Sequence, residues 1–405
     1  MLLPACGTTP LPAATPPVVT TQPTSTPAPT PTPTPTATRR PTPGPAPTAE
    51  RAPAQGETCA EVVDHMSLAE QVGQTIMVAQ SSTRPSTWGR RTIERLHIGS
   101  VVLLGNSTAG RAATTRLTSD LRHDVGKVDG VGVLIAADQE GGLVQRLQGS
   151  GFSRIASART QAGWSDKTLL RRATTWSTQL GRAGIDLNLA PVADVVPSSI
   201  GTGNAPIGAL RRGYGPNPSV VARKTTAVVE GMHDGGTATT AKHFPGLGRV
   251  RGNTDTTARV VDPTTTRHDT LLAGFGADVE HGTDLVMISS ATYVRIDAKR
   301  PATYSGTVIH DMLRHDLRFG GVVVSDDLLG KALASTSVRS RGVRFLHAGG
   351  DLALVGDTGA AAQVQGGLLD RARADRGFRT HLQQSATRVV ELKSRQGLAS
   401  CHVTG

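Results

Sequence analysis

The chain has 405 residues, of which 19% are charged and only 3% aromatic, and it carries a formal net charge of +11. Its Lys and Arg are scattered, with neither a basic helix nor stacking aromatics, which argues against nucleic acid as a partner. The positive surface suits an anionic cell envelope, or a merely solvated exterior. No segment approaches the roughly 18 apolar residues of a membrane span.

Residues 1–57 form a first region. Cys6 lies in "LPAC", which resembles the bacterial lipobox, in which the cysteine receives lipid. Only Met1, Leu2, Leu3, Pro4 and Ala5 precede the cysteine, in place of a charged n-region and an apolar stretch of about 7 to 15 residues. Lipidation at Cys6 therefore goes with a start further upstream; otherwise Cys6 is incidental. From about Thr8 to Gln55, Thr, Pro and Ala dominate. With so few large apolar side chains to offset the entropy of ordering, this stretch reads as an extended, disordered tether. A spacer directly after an anchor cysteine holds a domain off a membrane, so the expectation is a lipid-anchored protein on the extracellular face of the cell membrane or in the wall.

Residues 58–405 form the folded region, of roughly 350 residues, the size of one large domain. It opens on an amphipathic helix pattern, "AEVVDHMSLAEQVGQTIMVA", with Ser67 as N-cap ahead of Leu68 and Val72. Eight short apolar runs then recur with helical stretches between them: "VGQTIMVA", "IGSVVLLG", "VGVLIAAD", "IDLNLAP", "TATTAKHF", "TDLVMISS", "GGVVVSDD" and "GDLALVG". Each is nearly continuous in apolar or small residues, as strands of a parallel sheet covered on both faces are. Eight such strands predict an α/β fold, a single (β/α)8 TIM-type barrel. A doubly wound sheet would place a phosphate-binding glycine fingerprint after the first strand, and none is there. In a closed barrel the chain ends meet, so Cys59 and Cys401 are expected to form a disulfide.

A barrel predicts that reactive groups cluster beyond the C-terminal ends of its strands. Asp138 ends the third run, Asp194 follows the fourth, Lys242 and His243 end the fifth, and Asp326 ends the seventh. Singly, each reads as a cap at a strand–helix junction; together they point to one pocket. An acid immediately after "GGVVV" sits on the stiffest part of the fold, as a nucleophile aimed at a sugar's anomeric carbon requires. Asp327 then faces away or caps the next helix. Asp138, Lys242, His243, Arg146 and Arg212 supply acceptors and donors for sugar hydroxyls. No His/Cys pair at ligand spacing suggests a metal, and no cofactor is expected.

The stretches "MSLAEQVGQ", "IGSVVLLG", "ADQEGGLVQRL", "NLAPVADV", "AKHFPGLG", "PATYSGTVIHDMLR" and "GGVVVSDDL" resemble glycoside hydrolase family 3, in its β-N-acetylhexosaminidase branch, and look like the lipoprotein members from high-GC Gram-positive bacteria. The resemblance runs from about Met66 to Val355. It implies a barrel that removes terminal, non-reducing N-acetylglucosamine from cell-wall fragments with retention of configuration. Asp326 matches the nucleophile that forms a covalent glycosyl-enzyme intermediate. Asp138, Arg146, Arg212, Lys242 and His243 match sugar-binding positions, with Arg211 as an alternative register for Arg212.

One loop departs from the pattern. After the fifth strand this branch normally reads K-H-F-P-G-H-G, four residues, then D-S-H, and the last His, oriented by the Asp, serves as acid/base. Here Leu247 replaces the first histidine, six residues (Arg249 to Thr254) form the spacer, and the triplet is Asp255, Thr256, Thr257. A threonine hydroxyl cannot stand in as general acid. Three explanations follow: Asp255 acts directly, its pKa raised when the loop closes over the sugar; a histidine from elsewhere, such as His268, enters the site; or turnover is slow and binding persists. Asp255 is the favoured reading.

The main expectation is thus a monomeric, cell-surface exo-β-N-acetylglucosaminidase acting on N-acetylglucosamine-containing glycans or muropeptides. The alternatives are a phosphorylase that uses Arg249 and Arg251 for phosphate, and a sugar-binding wall lipoprotein that has lost turnover.

Overall fold

The computed structural model describes residues 56–403; Cys6 and the Pro/Thr/Ala-rich segment lie outside the described residues. The opening pattern divides where a single helix was expected. Ser67 does cap a helix, Leu68–Gln74, in a reciprocal box with Glu70. Thr58 and Glu61 form the same box on a separate helix, Cys59–His65, which stops at Met66 in extended conformation. Two N-caps nine residues apart outcompete one continuous helix, because each satisfies backbone N–H groups that would otherwise be left open.

Eight parallel strands follow: β1 Ile76–Ser81, β2 Ser100–Leu104, β3 Leu134–Ala137, β4 Leu187–Asn188, β5 Ala238–Phe244, β6 Leu285–Ile288, β7 Val322–Ser325 and β8 Ala353–Val355. They neighbour one another in chain order from β1 to β7, with β8 beside β1. A bridge between Val324 and Leu352 brings β7 to the start of β8 and nearly closes the ring. Each strand is followed by a helix on the outside, from Thr87–Arg95 after β1 to Thr358–Ala374 after β8. All eight strands coincide with the apolar runs, the expected (β/α)8 architecture.

Alternate residues of each strand face the barrel interior. Met77, Val102, Leu134, Ala136, Leu187, Ala238, Leu285, Met287, Val322, Val324 and Leu352 pack together there, while the opposite faces join the larger layer beneath the helices. Val389 and Leu392 of the last helix, Arg376–Arg395, enter the interior set from the N-terminal end. Lys393 of that helix is buried there with its ammonium on Gln74 Oε1 at 2.6 Å. Among the described residues the bottom is thus plugged, and the barrel opens where the strands end.

Cys59 and Cys401 are bonded across a sequence separation of 342 residues, beside backbone hydrogen bonds linking Cys59 to His402 and His402 to Glu57. A staple between residues so far apart restricts the unfolded chain strongly. Replacing both cysteines by serine is expected to lower stability by about 2–4 kcal/mol, read from the urea midpoint. Catalytic rate at 25 °C should be unchanged, because the staple sits at the end of the barrel away from the mouth.

Candidate active site

Extending the interior alternation of three strands by one step reaches the mouth. Leu134 and Ala136 lead to Asp138, Ala238 and Thr240 to Lys242, and Val322 and Val324 to Asp326. All three polar residues line one cavity of about 280 Å³, together with Arg146, Arg212, His243, Asp255 and Asp327.

Lys242 is buried, and its ammonium lies 2.6 Å from Asp138 Oδ1 and 2.7 Å from Glu140 Oε1. Glu140 in turn receives Nε and Nη2 of Arg212 at 2.8 and 2.7 Å, a bidentate pair. Burial by itself would push the Glu140 carboxyl up; Arg212 and Lys242 outweigh it and hold the group well below the usual carboxylate range. Burial would likewise lower the Lys242 ammonium, but Asp138 and Glu140 raise it. Glu140, Arg212 and Lys242 are therefore charged at neutral pH.

His243 is next to Lys242 in sequence, and on a regular strand it would point to the other face. The pairing of β5 with β6 shifts register between Lys242 and Phe244, and this irregularity lets both neighbours line the mouth. His243 Nδ1 donates to the fully buried Asp194 at 2.8 Å, which leaves Nε2 toward Arg212 and the cavity. Asp194 also accepts from the Leu247 backbone at 2.6 Å. The following loop is sewn down by buried Asn204, whose amide bonds the carbonyls of Leu247, Gly248 and Val250. A Cβ on Gly248 would meet Val195 O at 1.8 Å, so the second glycine of "GLG" is required by close approach.

Arg146 reaches the mouth through a hairpin of Gln139–Gly141 and Val144–Gln145. Gly141 and Gly142 turn it with φ of 108° and 58°, backbone that glycine adopts freely. Asn106 accepts from Arg146 Nη1 at 3.1 Å, while Nε is buried without a partner. Of the two arginines, Arg212 lines the cavity, and Arg211, exposed at φ 56°, lines a separate hollow with Arg159.

Asp326 is half-buried at the end of β7 and accepts from the backbone of Asp327 at 2.9 Å. Asp327 itself turns to the backbone N–H groups of Leu329 and Gly356 and so pins the loops after β7 and β8. Burial pushes the Asp326 carboxyl up to about 6, with the charge of Asp255 adding to the rise and His243 opposing it. Asp255 is exposed and lines the same cavity. Its carbonyl accepts from Lys331, and that of Thr254 accepts from Ala332, which ties the loop after β5 to the loop after β7. Thr257 is exposed, and His268 is exposed near Asp316, not among the cavity's lining residues.

Glu140 and Asp194 were not given roles from sequence. Glu140 had a readable signal, since it continues the interior stripe two residues beyond Asp138. Asp194 stood out only as a strand-end acid, and its bond to His243 required the fold.

Residues 67–392 match glycosyl hydrolase family 3, N-terminal domain. Over 292 residues the chain is 34% identical to a β-hexosaminidase of Stenotrophomonas maltophilia, spanning 69% of this chain and 82% of that protein. A β-N-acetylhexosaminidase structure from Beutenbergia cavernae matches with a TM-score of 0.80 at 40% identity, covering 81% of this chain and 99% of that one. A family 3 β-N-acetylglucosaminidase from Paenibacillus matches with a TM-score of 0.75 at 30% identity, covering 84% of this chain and 65% of that one. With the family model matched over residues 67–392 and relatives above 30% identity along most of its length, the chain belongs to glycosyl hydrolase family 3.

Proposed function

We propose that this glycoside hydrolase, of the β-N-acetylhexosaminidase type, is a retaining, exo-acting β-N-acetylglucosaminidase that trims cell-wall fragments. The observation that carries the reading is Asp326 on the interior stripe of β7, facing Lys242 and Asp138 across a closed-ended cavity of about 280 Å³. That volume is near the low end of small-molecule sites, about 300–1,000 Å³, and suits one sugar unit held from its non-reducing end. Asp138, Lys242, Arg146 and His243 hold its hydroxyls, and Arg212 positions Glu140 and His243 beneath them. Asp326 attacks C1 as the glycosidic C–O bond breaks, forming a glycosyl-aspartate, and Asp255 gives its proton to the departing oxygen. Water then attacks C1, giving one proton to Asp255 as its oxygen bonds to the sugar and the ester bond to Asp326 breaks.

Of the anion sites a phosphorylase would need, Arg249 is a poor candidate, because Asp269 and Thr265 already occupy its guanidinium. A lipid anchor at Cys6 and an extracellular position complete the proposal. The Cys59–Cys401 bond supports the position, since disulfides persist in oxidising compartments.

Release of nitrophenol from a nitrophenyl N-acetylglucosaminide is expected from the wild type without phosphate, and Asp326→Asn should lower it by about 10³-fold or more. Equal rates for the two would exclude the mechanism. Asp255→Ala should cost about 10²–10⁴-fold on a natural glycan, where the leaving oxygen needs a proton, and clearly less on the nitrophenyl substrate. Because Asp326 must be ionised to attack, kcat/KM is expected to fall about tenfold per pH unit below pH 6.

The same carboxyl makes a stability prediction. Its folded pKa lies above the ordinary 3.8, so the native state holds the proton more tightly, and ionisation at higher pH costs stability. Asp326→Asn should therefore stabilise the fold by about 1–2 kcal/mol above pH 6, the gain fading as pH falls toward 4. Melting temperatures of both proteins across that range measure it.

A further inference from the structure

Arg341 lies on the helix Val338–His347 that follows β7 and is only 7% exposed. A guanidinium cannot shed its charge, so burial at that depth calls for an acid or for well-placed acceptors. Arg212 and Arg314 have acids, Glu140 and Asp351; among the described residues Arg341 is in no ion pair. Its side chain is given to two backbone carbonyls instead, Nε donating to Thr336 O at 2.8 Å and Nη1 to Leu328 O at 2.7 Å. Burial raises the carboxyl of Asp327 and the charge of Arg341 opposes the rise, yet Asp327 Oδ1 already accepts from the backbone of Leu329 and Gly356.

The two carbonyls stand at the two ends of one loop, residues 328–336. Its middle is where the Asp255 loop is tied: the Lys331 N–H donates to Asp255 O at 3.1 Å and the Ala332 N–H to Thr254 O at 3.0 Å. The two loops also touch there, since a Cβ on Gly330 would meet Asp327 O at 3.1 Å and Thr254 O at 3.3 Å. One planar fork thus spans residues 328–336 like a strut across an arch, and the crown of the arch carries the acid that lines the cavity with Asp326. A lysine ammonium, a compact charge on a flexible stem, does not reproduce that planar two-point span.

Resting on the reading of Asp255 as the proton donor, we infer that Arg341 is a positioning residue for the acid/base: by holding both ends of residues 328–336 it fixes the Asp255 loop relative to Asp326. Arg341 is not among the residues that line the cavity, so it acts only through this loop. Asp326 is held independently, its backbone N–H bonded to Ile288 O of β6 at 3.0 Å, and Asp138, Lys242 and His243 are carried by β3 and β5. Loosening the strut is therefore felt in proton transfer to the leaving oxygen, and not in sugar binding or nucleophilic attack.

The test measures kcat/KM, which reports the steps up to the glycosyl-enzyme, for diacetylchitobiose and for the nitrophenyl N-acetylglucosaminide on wild type, Arg341→Lys and Asp255→Ala. Arg341→Lys is expected to lose about tenfold or more on diacetylchitobiose, whose leaving sugar needs a proton, with KM nearly unchanged, and less than about threefold on the nitrophenyl substrate, whose leaving group does not. In the Asp255→Ala background the same substitution should cost nothing further on diacetylchitobiose, because the group it positions is gone. An equal loss on both substrates, no loss on either, or a full additional loss in that background overturns the assignment. Should Arg341→Lys fail to fold, Arg341→Gln, neutral and shorter, takes its place in the same comparison. Should Asp255→Ala affect both substrates alike, or wild type cleave neither, the reading of Asp255 fails by itself, and the strut is then judged by amide hydrogen exchange. Faster exchange at Lys331 and Ala332 in the Arg341 variant, with the strand amides unchanged, supports it, and unaltered exchange overturns it.

Discussion

The ammonium of Lys242, buried at the mouth of the barrel, is the constraint on which the site depends. An unpaired charge at that depth is prohibitively costly, and a paired one is tolerated only when its partners are well placed. Asp138 and Glu140 supply the compensation, and Glu140 must then be balanced by Arg212, whose guanidinium reaches His243, which is held by Asp194. One charge thus commits side chains from β3, β5 and the loops after β3 and β4 to a single arrangement. Removing any inner partner leaves a buried charge exposed to its own desolvation. The network rigidifies the floor on which a sugar would rest before any sugar arrives.

Asp326 is governed by the opposite bargain. No cation is paired with it; burial and the nearby charge of Asp255 raise its carboxyl, and only His243 and a backbone N–H favour the ionised form. A fully paired carboxylate would be more stable, whereas this one is kept short of partners. The fold accepts that cost because β7 is locked on both sides, by β6 along its length and by the Val324–Leu352 bridge to β8. Stability gathered from the strand ladder is what lets a destabilised group stand at its tip.

The legible part of this molecule is the part with a period. Eight apolar runs were visible because parallel strands covered on both faces need continuous apolar sequence, and their ends located Asp138, Lys242, His243 and Asp326 together. Less was legible where two local preferences compete: the opening helix pattern contained two capping boxes, and both formed. Contacts between distant loops were invisible in principle. Nothing in "VADV" or "NAPIG" announces that Asp194 orients His243 or that Asn204 fastens three carbonyls of the loop after β5, because the partners are some 40 to 50 residues away along the chain.

The Asp255 loop shows how such distant ties shape chemistry. The histidine expected at the end of its triplet is a threonine, Thr257, and that residue is exposed. Were the loop free, Asp255 would wander and the loss of the histidine would be hard to offset. Instead Thr254 and Asp255 are hydrogen-bonded through their carbonyls to the backbone after β7, the strand that carries Asp326. Both carboxylates are therefore referred to one strand, and their relation does not depend on the lengthened spacer between Arg249 and Thr254. Arg249 anchors the beginning of that spacer to Asp269 and Thr265. A loop fixed at both ends can hold an acid in place where a shorter loop would have held a histidine.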